Sequence, residues 1–413
     1  MRKFQSADEV IELIEGRKNN HKGLVKFSSA LHVLDDPQLK LKCVHIGGTN
    51  GKGSTTDYLR SILQQAGYRV GTFTSPYLEV HNDRIRIDNE FISDDELLAL
   101  ANETADLWEQ YDLSMFEIDM LLASLYFLRH DVDIALFEVG MGGRLDATNV
   151  VDPLFSIITS IGLDHMQYLG NTHALIAKEK AGIIKAERDC ITAETREDCL
   201  NIFKQTCDLL GSQLIQCQEV MNLHVDQGVV FDYRNFKGIK LLSKASYQAK
   251  NASLAIEAAY KLRSLGYEIS DEMITEGLAA TFWKGRFEQV HTHPDVYIDG
   301  AHNEQGIKAL VDAARIFPKV RIIFSALKDK NTKSMIEQLL TLSDDLTICE
   351  FDFYRAQDAE KLAEGYPVKI IKDYRKAIYD CLEGDDIVLI TGSLYFISLV
   401  REMFQKMKGA STQ

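Results

Sequence analysis

The sequence lacks a basic excess. Its 46 Lys and Arg residues are outnumbered by 61 Asp and Glu, for a formal net charge of −15. That excludes nucleic acid as a bulk partner, because a phosphate backbone needs a basic footprint. Small anions stay open, since they need only a local positive site. Paired cysteines are missing too. Cys43, Cys190, Cys199, Cys207, Cys217, Cys349 and Cys381 are odd in number, scattered, and form no C-x-x-C pair. They exclude a disulfide or zinc framework and read as reduced cytosolic thiols. No apolar run reaches membrane-spanning length, and the opening residues, Met1 to Asp8, lack the apolar core of a signal peptide. A cytoplasmic protein without membrane contact is the expectation. No repeat or low-complexity segment stands out. What remains is ordinary: 46% apolar and 26% charged residues are globular proportions. At 413 residues the chain exceeds one typical core, so two domains are expected.

Strand-like runs alternate with helical ones along most of the chain. Strands are expected at Leu41 to Ile46, Arg69 to Thr74, Ile134 to Val139, Phe155 to Ser160 and Cys190 to Ala193. Helices are expected between them, including Thr55 to Ala66, a stretch opened by the capping pair Ser93 and Glu96, and Phe116 to Arg129. This βαβ alternation predicts a mostly parallel sheet with helices on both faces. Met221 to Leu242 reads as a small antiparallel patch, Gln248 to Leu265 as a helix, and Thr281 to Glu288 as a loop. The alternation then restarts, with strands at Val296 to Ile298, Val320 to Phe324, Leu346 to Cys349 and Ile387 to Ile390. The boundary falls near residue 288. The fold class is therefore α/β: a mostly parallel sheet domain over residues 1–287, followed by a smaller Rossmann-like α/β domain over 288–413.

The first domain carries the most informative segment, Gly48-Thr49-Asn50-Gly51-Lys52-Gly53-Ser54. A glycine-rich turn between strand and helix leaves backbone N–H groups aimed at one point, and a lysine there makes that point a phosphate site. The segment departs from the usual G-x-x-x-x-G-K-[ST] loop. Ile46 stands five residues before Gly51, Gly53 stands where Ser or Thr follows the lysine, and the hydroxyl comes one residue later at Ser54. Gly53 offers magnesium no ligand, so a metal ligand must come from elsewhere.

Several other stretches are candidates. Ser75, in Thr74-Ser75-Pro76, ends a strand, where open α/β sheets place ligands; a simple Ser-Pro turn is the alternative. Glu138 lies in an otherwise apolar strand, where a carboxylate must be paired, hydrogen-bonded or on a metal. The Gly140 to Asn149 segment that follows it permits close approach of backbone to ligand. Asp164-His165 closes the next strand, near the one that carries Glu138; His165 is a candidate ligand, with a satisfied turn residue as the alternative. Lys178 to Lys185 reads by itself as a solvated helix face. Asp299-Gly300-Ala301-His302-Asn303 ends the first strand of the second domain.

In order and together, these stretches resemble the folylpolyglutamate synthase and dihydrofolate synthase branch of the Mur ligase superfamily. The G-x-x-G-K-G-[ST] variant and the Gly143 to Asn149 stretch (GRLDATN) carry the resemblance most specifically. The resemblance implies an ATP-dependent ligase that joins L-glutamate to a folate or dihydropteroate carboxylate, with ATP and substrate bound between two domains. It assigns Gly48 to Ser54 to the nucleotide phosphates, with Lys52 on the β- and γ-phosphates. It assigns Ser75, Glu138 and His165 to magnesium, and Ser54 with Glu138 to a second ion. It places Lys180 at the position of a carbamylated lysine. It gives Gln248, Asn251 and Arg286 to the nucleotide, and Asp299 and His302 to the site from the second domain. Phe116, Asp146 and Ala147 match a pterin pocket. Tyr77, where the family often has histidine, and the stretch Asn82-Asp83-Arg84-Ile85 leave substrate preference open, with Tyr77 and Arg84 as substrate contacts. A monomer acting on small molecules, with closure about Arg286–Val290, is the implied assembly. Two rivals are a cell-wall ligase of the same superfamily and a P-loop nucleotide-binding protein without ligase activity. The first usually has Ser or Thr directly after the lysine; the second does not account for Glu138, His165 and a second α/β domain.

Overall fold

The computed structural model describes residues 3–17 and 23–410. Met1 and Arg2 of the opening stretch lie outside them. The chain forms two compact units. The first takes the chain as far as Ile161, then His165–Val220 and Lys250–Thr281; the second takes Gly162–Asp164, Met221–Ala249 and the chain from Phe282 onward.

The first unit is built on eight strands: β1 (Cys43–Gly47), β2 (Val70–Phe73), β3 (Ile85–Ile87), β4 (Glu90–Phe91), β5 (Ile134–Glu138), β6 (Phe155–Ile158), β7 (Cys190–Thr192) and β8 (Leu214–Gln216). Their order is β4-β3-β2-β5-β1-β6-β7-β8. The run from β2 to β8 is parallel, whereas β3 and β4 add antiparallel at one edge. β1, β2, β5, β6 and β7 are buried along their whole length. That is why they read as continuous apolar runs rather than alternating ones. Phe27, Leu31, Phe73, Trp108, Leu121 and Phe137 anchor one large core, each worth roughly 1.5–3 kcal/mol on burial. Two of its helices are capped as their sequences dictate. Ser93 accepts from the Glu96 N–H at the start of Asp94–Gln110, and Ser114 with Glu117 closes a full capping box on Met115–Arg129.

The second unit has a three-stranded antiparallel sheet, β9 (Met221–Val225), β10 (Val229–Tyr233) and β11 (Phe236–Lys240), in the order β11-β10-β9. Its larger sheet holds β12 (Glu288–His291), β13 (Val296–Asp299), β14 (Val320–Phe324), β15 (Leu346–Glu350), β16 (Lys369–Asp373) and β17 (Ile387–Thr391), ordered β12-β13-β17-β14-β15-β16. All its pairings are parallel except β12 with β13. Tyr297, Leu310, Phe324, Met335 and Leu389 fill its core. The residues expected to hinge, Arg286–Val290, lie inside this unit, where Glu288–His291 is the strand β12.

All seven cysteines are free thiols. Among the described residues no helix is long and apolar enough to cross a membrane.

Candidate functional site

β1 ends at Gly47 and the next helix, Lys52–Gln65, begins at Lys52, three residues before the expected start. The turn between them is held from behind by the two residues that follow β6. The Thr159 hydroxyl donates to the Asn50 carbonyl at 2.7 Å and the Ser160 hydroxyl to the same oxygen at 3.1 Å. The Thr49 N–H donates to the Ser160 carbonyl at 2.8 Å. Gly51 has φ +88° at the helix entry, and a Cβ there would stand 2.3 Å from the Asn251 side-chain oxygen. Asn251 thus lies against the loop, in the first turn of the helix Gln248–Ser264.

Three charged side chains converge on this loop. Lys52 Nζ donates to the Thr49 carbonyl at 3.4 Å and stands 3.9 Å from Glu138 Oε1. Glu138, at the end of the central strand β5, is 4% exposed. Lys180 is not on a solvated helix face. It is 4% exposed and its Nζ donates to the Gly48 carbonyl at 2.8 Å. The helix that carries it, His173–Ala181, buries Ile176, Ala177, Lys180 and Ala181, so Lys180 shares the inward stripe of i, i+3, i+4 positions. The glycine segment after β5 packs directly on that helix. The Arg144 N–H donates to the Glu179 carbonyl at 2.9 Å, and a Cβ on Gly143 would fall 3.1 Å from Lys180 Cα.

Asp146 organises the rest of that segment. Its Oδ1 accepts from the Thr148 N–H at 3.0 Å and the Thr148 hydroxyl at 2.5 Å, and its Oδ2 accepts from the Met141 N–H at 2.9 Å. Burial raises its pKa against these hydrogen bonds. His45 of β1 lies 2.8 Å from the Thr148 hydroxyl through Nε2. Because that hydroxyl donates onward to Asp146, Nε2 carries the proton, and the buried Nδ1 has no hydrogen bond. Burial, and then the charge of Lys185, lower the His45 pKa to about 3, so it is neutral. Phe116 packs on Phe73 with centroids 5.2 Å apart. A Cβ on Gly140 would meet both the Phe116 ring, at 2.7 Å, and Asp146 Oδ2, at 3.3 Å. Ala147, 6% exposed, follows directly.

Ser75 lies just beyond β2, before a cis peptide bond to Pro76, and His165 adopts φ +50° at the start of Met166–Leu169. Tyr77 is stacked under Arg84, whose guanidinium carbon is 5.2 Å from the ring centroid. Arg84 itself is 4% exposed. Asp83 accepts from the Leu78 and Glu79 N–H groups at 2.8 Å each, which pins the loop.

In the second unit, Asp299 shapes two turns. Tyr247 donates to its Oδ2 at 2.6 Å, as does the Phe287 N–H at 2.8 Å, while the Ala301 N–H donates to Oδ1 at 2.8 Å. Burial raises its pKa, and the charge of Arg286 works the other way. Glu288 holds the same turn, accepting from the Gly285 N–H at 2.7 Å and from Arg401 Nε through both oxygens. Asp164 gathers three more side chains: Lys330 Nζ at 2.6 Å from Oδ1, Asn303 Nδ2 at 3.0 Å and His302 Nε2 at 3.5 Å from Oδ2. His302 Nδ1 donates to the Gly300 carbonyl at 2.8 Å. Gln248, 2% exposed, also belongs to this unit.

The first unit thus unites Lys52, Glu138, Lys180 and Asn251 around Gly48–Gly51, and separately Phe116, Asp146 and Ala147. The second unites Arg286 with Asp299, and His302 with Asn303. Sequence reasoning passed over Thr159, Ser160, Asp164 and Lys330. In the sequence Asp164 enters only as the neighbour of His165, with no role attached. The donor set fits a phosphorylated ligand and a hard divalent cation. N–H groups and two ammonium groups face the loop, and a buried carboxylate oxygen stands beside it. Among the described residues no three His, Cys, Asp or Glu side chains converge as a metal site; the expected set of Ser75, Glu138 and His165 draws only two ligands from those types.

Residues 46–259 match the Mur ligase middle domain, and residues 285–394 match the Mur ligase glutamate ligase domain. The dihydrofolate synthase/folylpolyglutamate synthase of Bacillus subtilis is 39% identical over 405 residues, covering 92% of this chain and 94% of that one. A structure of Mycobacterium tuberculosis folylpolyglutamate synthase complexed with ADP and AMPPCP superposes with a TM-score of 0.90 at 27% identity, covering 96% of this chain and 98% of that one. An FPGS–AMPPCP–folate complex does so with a TM-score of 0.85 at 29% identity, covering 97% and 99%.

Proposed function

The chain belongs to the folylpolyglutamate and dihydrofolate synthase family of Mur ligases, and from that premise we propose that it is an ATP-dependent ligase that adds L-glutamate to the carboxylate of a folate or a dihydropteroate. The observation that carries the reading is the convergence of Lys52, Lys180 and Glu138 on the Gly48–Gly51 loop.

A carboxylate is a poor electrophile. Phosphoryl transfer from ATP turns it into an acyl phosphate, the neutral amine of glutamate attacks, and the tetrahedral intermediate expels phosphate. The protein's share is positioning and charge neutralisation. The loop Gly48, Thr49, Asn50, Gly51, Gly53 and Ser54 cradles the phosphates, with Thr49 and Asn50 anchoring it to Ser160 through their N–H groups, and Lys52 neutralises charge on the β- and γ-phosphates. Gln248, Asn251 and Arg286 contact the nucleotide, with Arg286 at the γ-phosphate. Asp299 and His302 act as catalytic groups of the second unit. Ser75, Glu138 and His165 would hold magnesium, with Ser54 and Glu138 serving a second ion; magnesium supplies charge neutralisation of the transferring group. Lys180, carbamylated, presents an anion rather than an ammonium. Phe116, Asp146 and Ala147 line the pterin pocket, and Tyr77 and Arg84 touch the substrate. Residues 1–287 carry ATP binding and residues 288–413 the glutamate ligase part. The enzyme works as a cytoplasmic monomer on small molecules, without nucleic acid or membrane.

The test is phosphate release and product mass with 7,8-dihydropteroate and with tetrahydrofolate, each with and without L-glutamate. The expected outcome is glutamate-dependent phosphate release and a product heavier by one glutamyl residue with one or both carboxylates. ATP turnover indifferent to both additions would overturn the reading.

A further inference from the structure

Beyond the phosphate loop, the first unit contains a largely buried group of charges of which the mechanism uses only Arg84. His81 has a side chain only 3% exposed, set between two carboxylates: Glu15 Oε1 is 3.1 Å from Nδ1 and Asp119 Oδ1 is 3.0 Å from Nε2. An ionised carboxylate only accepts hydrogen bonds, so both ring nitrogens must donate, and the ring is an imidazolium. A neutral ring would turn a lone pair toward one of the carboxylates at a buried position. Burial lowers the His81 pKa, but the charge and hydrogen bond of Asp119 and the hydrogen bond to Glu15 outweigh it and raise the value to about 9.

The same group holds the loop after β2. The His81 and Tyr77 rings are 5.7 Å apart, and Tyr77 hydrogen-bonds Glu15. Arg84 Nε stands 3.7 Å from Asp119 Oδ2. Neither of those two atoms makes a hydrogen bond, so they meet through charge alone. Two cations and two carboxylates therefore balance around Tyr77. They come from three places: the helix Ala7–Gly16, the segment His81–Arg84, and the helix Met115–Arg129.

We propose that Glu15, His81 and Asp119 form a charged staple that positions Tyr77 and Arg84 for the pterin-bearing carboxylate substrate, so that the N-terminal helix takes part in setting substrate affinity. The three are positioning residues. The proposal rests on the reading that Tyr77 and Arg84 touch that substrate.

The experiment compares His81→Asn, Glu15→Gln and Arg84→Lys in the full-length enzyme by kcat and by KM for dihydropteroate, tetrahydrofolate and ATP. His81→Asn is expected to raise KM for the carboxylate substrate roughly tenfold while KM for ATP stays within about twofold. Glu15→Gln, a change at a partly exposed position, shifts the same constant in the same direction and guards against a His81 variant that does not fold. If Arg84→Lys raises KM for the carboxylate and both staple variants leave it unchanged, the staple is refuted and the substrate reading stands. If Arg84→Lys also leaves it unchanged, the substrate reading fails and the staple with it. A rise in KM for ATP equal to that for the carboxylate would also refute the staple, because it marks general disruption. Nitrogen-15 spectra of the histidine rings at pH 8 give a second check. One ring with both nitrogens at imidazolium shifts, absent from His81→Asn, is expected, and a neutral ring would overturn the proposal.

Discussion

At the scale of single residues, the informative side chains are charged groups in places where charge is costly. Lys180 is an ammonium on the inward stripe of its helix, bonded to a loop carbonyl. A second cation so close to Lys52 suits anionic phosphates but would repel a magnesium ion, and carbamylation would reverse that. Lys180→Ala is therefore expected to be nearly inactive, and wild-type enzyme stripped of carbon dioxide should regain activity with bicarbonate. A high-resolution map of the nucleotide-bound enzyme with an unmodified ammonium at Lys180 would refute the modification. Glu138 gives a companion prediction. Glu138→Gln keeps the size and loses the charge that a hard cation prefers. The magnesium concentration for half-maximal activity should rise by roughly tenfold, more than KM for ATP does; an unchanged titration would reduce Glu138 to a partner of Lys52. The sequence named both residues for different reasons. Glu138 stood out because a carboxylate inside an apolar strand is conspicuous. Lys180 was hidden by its neighbours, because Lys178 and Glu179 made it look like part of a solvated face, and only the family resemblance singled it out. His81 and Asp119 were not legible at all: each is an ordinary residue until the fold sets one against the other.

At the scale of elements, the fully buried parallel strands were readable to within a residue or two, because a strand covered on both faces is apolar throughout. The edges were not. β16 is exposed at four of its five positions, β4 has two residues, and β12 begins in what reads as a loop, so none carries a periodic signal. The early start of the helix at Lys52 has a specific cause. Gly51 takes the left-handed conformation, which lets the chain turn from strand into helix at once and aims the first N–H groups into the loop. Gly51→Ala is expected to cost about 1–2 kcal/mol in that conformation and to press a methyl group on Asn251. ADP affinity measured by calorimetry should fall at least tenfold, with a small loss of melting temperature. A variant that binds ADP as tightly as wild type would show that the left-handed turn is not what builds the phosphate cradle.

At the scale of the whole molecule, a division drawn along the chain is linear and the compact units are not. Gly162–Asp164 and Met221–Ala249 join the later residues, which no composition shift announces. Stability is a property of this whole, and the buried His81 couples it to pH. Its pKa is raised in the folded protein to about 9 from about 6.5 in an unfolded chain. A group raised on folding stabilises fully below its unfolded value, and that stabilisation is lost as pH rises through the folded value. The groups that face His81 are Glu15 on the N-terminal helix, Asp119 on the helix Met115–Arg129, and Tyr77 and Arg84 on its own loop. Glu15 has its pKa lowered, first by its hydrogen bond to His81, so it stays ionised across this range. The melting temperature of wild type should therefore exceed that of His81→Asn most near pH 6.5, and the gap should narrow as pH rises through about 9. Thermal scans of both proteins between pH 6 and pH 10 measure that gap directly. A gap that stays constant would mean that folding does not raise the His81 pKa, and the paired carboxylates would then need another explanation.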